Sequence, residues 1–186
     1  MNFMCLDFIN TQWTITHPPF KDRLLDKDWL DEFLKKYDLP AHADPLTEQE
    51  TQSLLDLRTV LSSAVDTLDS GQELSDEQLG TINRYVGLTT LYYEFKKENG
   101  KYKARLQPAV SGWNYILHAL AVSFMKVLSE YDVLRVKKCG NPACGWVLYD
   151  ESKNTTRRWC SNTCSSLIKV RRFRTRQKSR TKEQGS

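Results

Sequence analysis

Long apolar runs are what this chain most plainly lacks. Its most apolar stretch, YILHALAVSFMKVL, covers residues 115–128 and contains His118 and Lys126, short of the roughly 20 apolar residues that a spanning helix requires. No charged-then-apolar leader opens the sequence, so neither a signal peptide nor a membrane span is expected. Cysteine is scarce, with five in 186 residues, and the odd count argues against a secreted framework in which every cysteine has a partner. Common enzyme signatures are missing too: there is no P-loop, no dinucleotide-binding glycine turn and no HExxH. Asp and Glu are plentiful but not localised, and their number says nothing about catalysis. These absences leave the expectation of a cytoplasmic, non-enzymatic protein without a membrane partner. In a reducing compartment, paired cysteines are more often metal ligands than disulfides.

The composition that remains, 40% hydrophobic and 27% charged, is that of a globular protein with one ordinary domain and a small appendage. Its net charge of +4 hides an asymmetry. Residues 1–133 carry 13 Lys+Arg against 20 Asp+Glu, a balance of −7, and residues 134–186 carry 14 against 3, a balance of +11. The expected division is therefore an acidic domain over 1–133 and a cationic one over 134–186.

The acidic part reads as helices. In DKDWLDEFLKKY, Trp29, Leu30, Phe33, Leu34 and Tyr37 share one face. Thr47 stands three residues before Glu50, a capping box for a helix that carries Leu54, Leu57, Leu61, Val65 and Leu68 and closes near Gly71. Ser75 and Gln78 predict a second, shorter capped helix. The period then changes: β-branched and aromatic residues flank Asn99-Gly100, a strong hairpin signal, and Leu91, Tyr93 and Phe95 alternate with polar neighbours. A core helix is expected over about 111–131, with Trp113, Ile116, Leu117, Leu120, Phe124 and Leu128 inward. His118 lacks a second His or Cys at i+3 or i+4 and reads as a packed histidine. Cys5, alone in FMCLDFI, reads as a small buried hydrophobe.

The other four cysteines fall as Cys139-x4-Cys144-x15-Cys160-x3-Cys164. Two close pairs of soft ligands separated by a loop have the spacing of a closed tetrahedral zinc site, which stabilises a module too small to fold on its own core. One structural Zn2+ is the expectation, with an iron–sulfur centre or a redox pair as alternatives. A catalytic zinc would need an open position, which four thiolates do not leave. GNPA supplies the Gly and Pro of a tight knuckle, WVLYD and RRWC read as two short strands, and ESKNTT as the turn between them. After Cys160 the chain reads as a helix, with Cys160 and Cys164 on one face of its first turn and its N–H groups stabilising the thiolates. Knuckle, hairpin and helix give a treble-clef-like module, and the whole chain is an α+β protein.

That helix carries Lys169, Arg171, Arg172, Arg174, Arg176, Lys178 and Arg180, with Leu167, Ile168, Val170 and Phe173 as an apolar strip expected to pack on the zinc hairpin. Arg157 and Arg158 add to the charge. A basic run mounted on a rigid module is an electrostatic footprint for a polyanion. The bland reading is a solvated basic tail.

At these residues the chain resembles a known family. CGNPACGWVLYDESKNTTRRWCSNTC followed by KVRRFRTR resembles the CGNR zinc finger of bacterial proteins, and CLDFINTQW, residues 5–13, resembles the LDFVNT opening of the accompanying ABATE domain. The resemblance implies a stress-response transcription regulator in which the N-terminal domain senses a ligand and the finger contacts DNA. It makes Asp7, Asn10 and Thr11 candidate contacts for an unidentified small-molecule effector. The alternative for these is that Asp7 and Asn10 cap or tie down the first helix while Leu6, Phe8 and Ile9 form core. The chain departs from the family at SSL after Cys164, where the naming Gly, Asn and Arg are missing, and in an interval one residue shorter before Cys164. A contact made by the family's Arg would fall to Lys169 or Arg171.

Three functions compete. The first is a regulator that binds double-stranded DNA, for which a homodimer would suit two half-sites. The second is an RNA-binding protein whose Trp146, Tyr149 and Trp159 stack on bases. In the third, a small-molecule-binding protein uses the zinc module purely as a structural clip.

Overall fold

Local signals set most of the helix boundaries. The computed structural model describes residues 3–12, 21–40, 46–110 and 112–183, the last segment with side chains through residue 177. Trp13, the start of the core helix at Ser111, and the side chains of Lys178 and Arg180 lie outside what is described. Helix α1 (Met4–Ile9) buries Cys5, Leu6, Phe8 and Ile9. A 3-10 turn, Arg23–Leu25, leads into α2 (Lys27–Lys36), whose N-cap Asp26 accepts from the Trp29 N–H. Both predicted capping boxes form: Thr47 with Glu50 opens α3 (Glu48–Asp69), and Ser75 with Gln78 opens α4 (Asp76–Val86). Each satisfies two backbone donors that a helix start would otherwise leave bare.

Strands β1 (Leu91–Glu98) and β2 (Lys101–Pro108) pair antiparallel in full register, from Leu91 opposite Pro108 to Glu98 opposite Lys101. Asn99 and Gly100 turn the chain with positive φ at both positions, which a two-residue hairpin turn of this kind requires. Helix α5 (Trp113–Glu130) runs through the centre and packs on α1, α3 and α4, burying Ile116, Leu117, Leu120, Ala121, Phe124 and Val127. His118 is buried as a packed residue, with Nδ1 donating to the Val86 carbonyl at 2.6 Å.

After a 3-10 turn, Val133–Arg135, comes the cysteine module: β3 (Val136–Lys138), the knuckle, β4 (Val147–Tyr149) and α6 (Asn162–Glu183). The expected pairing of WVLYD with RRWC does not form. β4 pairs antiparallel with β3, Val136 opposite Tyr149, so the hairpin strands flank the knuckle. The Arg157 N–H, which a strand partner would need, goes instead to the Asp150 carboxylate at 2.9 Å, and one backbone bond, Gly140 N–H to Arg158 O at 2.7 Å, joins that segment to the knuckle.

The expected packing of the α6 apolar strip is also corrected. Leu167, Val170 and Phe173 are exposed, Phe173 by 62%, and only Ile168 is half-buried. The reason lies in the hairpin: its apolar residues Val136 and Val147 join the helical core with Phe8, Leu61 and Phe124. No apolar face remains for the distal turns of α6, which at about 1.5 Å per residue is roughly 33 Å long.

Candidate metal centre and nucleic-acid interface

The four sulfurs meet where three segments converge. Cys139 follows β3, Cys144 closes the knuckle, Cys160 precedes α6 and Cys164 lies in its first turn. All four Sγ atoms are within 4.8 Å of one another, with Cys144 to Cys160 at 3.6 Å and Cys160 to Cys164 at 3.5 Å. A tetrahedral zinc with Zn–S of about 2.3 Å requires S···S separations of about 3.8 Å, so the set fits one structural zinc ion. N–H donors already face the sulfurs: the Cys160 N–H lies 3.4 Å from Cys139 Sγ, and the Asn141 side-chain amide 3.5 Å from Cys164 Sγ. Such donors favour the thiolate form. Burial pushes the Cys139 thiol up, and burial together with hydrogen bonds to Cys164 and Cys144 pushes the Cys160 thiol up. Metal therefore binds here in exchange for protons. Ser161 caps α6, its Oγ accepting from the Cys164 N–H at 3.4 Å.

Gly140 sits at a close approach of two segments. A Cβ there would lie 3.1 Å from both the Arg158 carbonyl oxygen and the Trp159 ring. Trp146 and Trp159 pack on the cysteine cluster, and Tyr149 packs edge-on against Phe3 and Tyr131. The three rings named for base stacking are thus engaged within the fold.

Asp150 organises the loop between β4 and α6. Fully buried, it receives Lys137 Nζ at 2.8 Å, the Ser152 N–H and hydroxyl at 2.9 and 2.5 Å, and the Arg157 N–H at 2.9 Å. Burial alone would raise its carboxyl, but these donors outweigh it and hold the group well below the usual carboxylate range. The loop that results presents Arg157 and Arg158 beside Arg172 of α6 in a cleft of about 590 Å³, with Lys137, Lys138 and Trp159 on its walls.

The predicted cations divide. Arg157 braces its own loop, donating to the carbonyls of Trp159 and Cys160. Arg171 reaches back to Asn141 Oδ1 at 3.4 Å, so of the two residues proposed to replace the family's Arg, it is tied to the knuckle. Lys169, Arg158, Arg172, Arg174 and Arg176 are exposed, and among the described residues no carboxylate pairs with any of them. Lys137 and Lys138 escaped the sequence reading because their β3 position does not by itself place them beside the loop. Asn141 escaped it too, although its place inside the Cys139–Cys144 interval was a signal.

The three N-terminal candidates are not gathered at one point. Asp7 accepts from Lys36 at 2.5 Å and from the Tyr37 hydroxyl at 2.6 Å. Thr11 Oγ1 donates to Phe8 O and accepts from Arg58, which also grips Asp22 at 2.6 and 2.5 Å. Asn10 reaches across to the cysteine module. Its Nδ2 donates to Val147 O at 2.7 Å and its Oδ1 accepts from Val147 N–H at 2.8 Å, so one buried amide closes both backbone groups of a β4 residue. Asn10→Ala strands both groups, each costing about 1–3 kcal/mol, and is expected to lower stability by about 2–4 kcal/mol in denaturant unfolding. A loss within error of zero would show that water replaces the amide. Asp7 and Asn10 also line a recess of about 240 Å³ shared with Trp29, Phe33 and Trp146.

Cys5 is fully buried with its thiol pushed up to about 12 by burial, so it remains a neutral core side chain. No helix among the described residues is long and apolar enough to cross a membrane.

A four-cysteine cluster at the root of a cationic helix defines a zinc-finger protein. The chain belongs to the ABATE family, described as "Putative stress-induced transcription regulator", which matches residues 3–130. Residues 135–177 match the CGNR zinc finger. A search of curated proteins found no match.

Proposed function

We propose that the protein is a non-enzymatic, cytoplasmic regulator that binds double-stranded DNA through its zinc finger and responds to a small molecule through its helical domain. The observation that carries this reading is the cationic cleft where Arg158 meets Arg172, continued by the exposed Lys169, Arg174 and Arg176 of α6. The nearby acidic side chains are engaged: Asp150 takes Lys137, Asp66 takes the Lys138 side chain, and Asp69, on the wall of the same cleft, takes the Lys138 N–H. The four cysteines hold the start of α6 beside the 157–159 segment, so the helix presents the backbone positions of its arginines to phosphates in a fixed arrangement. The effector part rests on the recess beside Asn10 and Trp146, since a ligand there would touch the clamp that joins helical core to finger.

Duplex binding is expected to weaken with salt by about 0.9 log units per log unit of salt for each phosphate contact. Arg172→Ala is expected to reduce that slope by about 1 and to weaken binding to unrelated duplexes alike. Fluorescence anisotropy across a salt series measures both. Salt-independent binding would overturn the phosphate role, and preferential competition by single-stranded RNA would replace DNA as the partner.

A further inference from the structure

The β1–β2 ribbon is built with two unlike faces. Its register places Leu91, Tyr93, Phe95 and Lys97 on one side, opposite Pro108, Leu106, Ala104 and Tyr102. The other side carries Glu94, Lys96 and Glu98 with Lys101, Lys103 and Arg105, joined by ion pairs from Lys96 to Glu94 and from Lys103 and Arg105 to Glu98. Tyr92 and Gln107 also lie on this second side and Lys97 on the first, but the bias of apolar residues to one face is the pattern of a sheet with one face in water and one covered. Here the apolar face is open: Tyr93 is 78% exposed, Phe95 71% and Tyr102 68%, with Phe95 and Tyr102 stacked at 5.5 Å near the turn. A two-stranded ribbon alone is marginal in water, and an apolar patch of this size marks an interaction site.

At the ribbon's base the same face runs into a mainly apolar groove of about 460 Å³, walled by Leu91 and Leu106 of the ribbon and Tyr115 and Val122 of α5, with Lys126 and Glu130 also on its lining. A protruding apolar tip and an apolar recess thus share one face, which is what a two-fold interface between identical surfaces needs. We infer that this face is the homodimer interface, each ribbon laying Phe95 and Tyr102 into the groove of a second copy of this chain. The area agrees. At roughly 200 Å² per aromatic ring, the exposed parts of Tyr93, Phe95 and Tyr102 amount to roughly 430 Å², and the groove walls, Leu91 and Leu106 among them, extend this toward the ~800 Å² per partner of a stable interface. The inference is independent of nucleic-acid binding, and a dimer would carry two fingers to paired half-sites.

Sedimentation velocity of the zinc-loaded full chain from 1 to 100 µM, taken as a range on the order of ordinary dimer affinities, tests it. Wild type should sediment as a dimer. Phe95→Glu should raise the dissociation constant about thirty-fold or more, the effect of losing a central anchor, while Tyr92→Glu on the charged face leaves the dimer intact. Circular dichroism and zinc content establish that the variants fold, and Tyr93→Asp repeats the test should Phe95→Glu misfold. A wild type that stays monomeric at the highest concentration overturns the inference. So does a Phe95→Glu protein that dimerises as tightly as Tyr92→Glu.

Discussion

Cys160→Ser is expected to lose its zinc and, with it, nucleic-acid binding. A serine hydroxyl is a hard, protonated donor where a soft thiolate stood, and structural zinc contributes about 10–16 kcal/mol shared by four ligands. Loss of one ligand should therefore lower zinc affinity by about 10²–10³-fold. The damage travels in two directions. Outward, α6 loses its anchor to the knuckle, because the Cys160 sulfur lies between Cys144 Sγ at 3.6 Å and Cys164 Sγ at 3.5 Å and completes the ligand set that the two segments share. Inward, Val136 and Val147 belong to the helical core, so a disordered finger also strips cover from Phe8 and breaks the Asn10 clamp. Metal analysis, near-UV circular dichroism and a low-salt duplex titration on the same preparations check the claim. Zinc content and binding must fall together. A metal-free variant that still binds duplex with wild-type affinity would mean that the basic helix acts as an unstructured tail.

The features legible in the sequence were those whose physics is local. Two capping boxes fix helix starts because each is completed within four residues, and Asn99-Gly100 fixes the ribbon register because the turn needs positive φ at both positions. The four ligands were legible because metal spacing is itself a local code. What escaped was settled by contacts distant in sequence. The partner of β4 is β3 rather than the RRWC segment, because Asp150 withdraws the Arg157 N–H from strand pairing. Hydrophobic residues on α6 suggested a packed strip, yet the face they would cover is already occupied by the helical core. Asn10 stands 137 positions from Val147, and an Asn followed by Thr after an apolar turn says only that a helix ends there.

Asp150→Ala is expected to cost about 3–5 kcal/mol, the range for removing one partner of a buried ion pair. The carboxylate satisfies an ammonium, a hydroxyl and two backbone N–H groups at once; its removal leaves Lys137 without its charge partner and frees the loop that presents Arg157 and Arg158. The pH dependence carries the more specific signature. The folded group titrates below the unfolded value of about 3.9, so the unfolded chain binds the proton first as pH falls. The Asp150 contribution is fully present above about pH 5 and is lost progressively as pH falls through 3.9 toward the folded value. Zinc thiolates also protonate in acid, but that loss is common to wild type and variant. The readout is therefore the stability difference between Asp150→Asn and wild type, followed by thermal unfolding of zinc-loaded protein from pH 7 downward. That difference should narrow below about pH 5. A gap that stays constant into acid would assign Asp150 a role as a neutral hydrogen-bond acceptor, and would remove the charge pair with Lys137 as the force that holds the cationic loop in place.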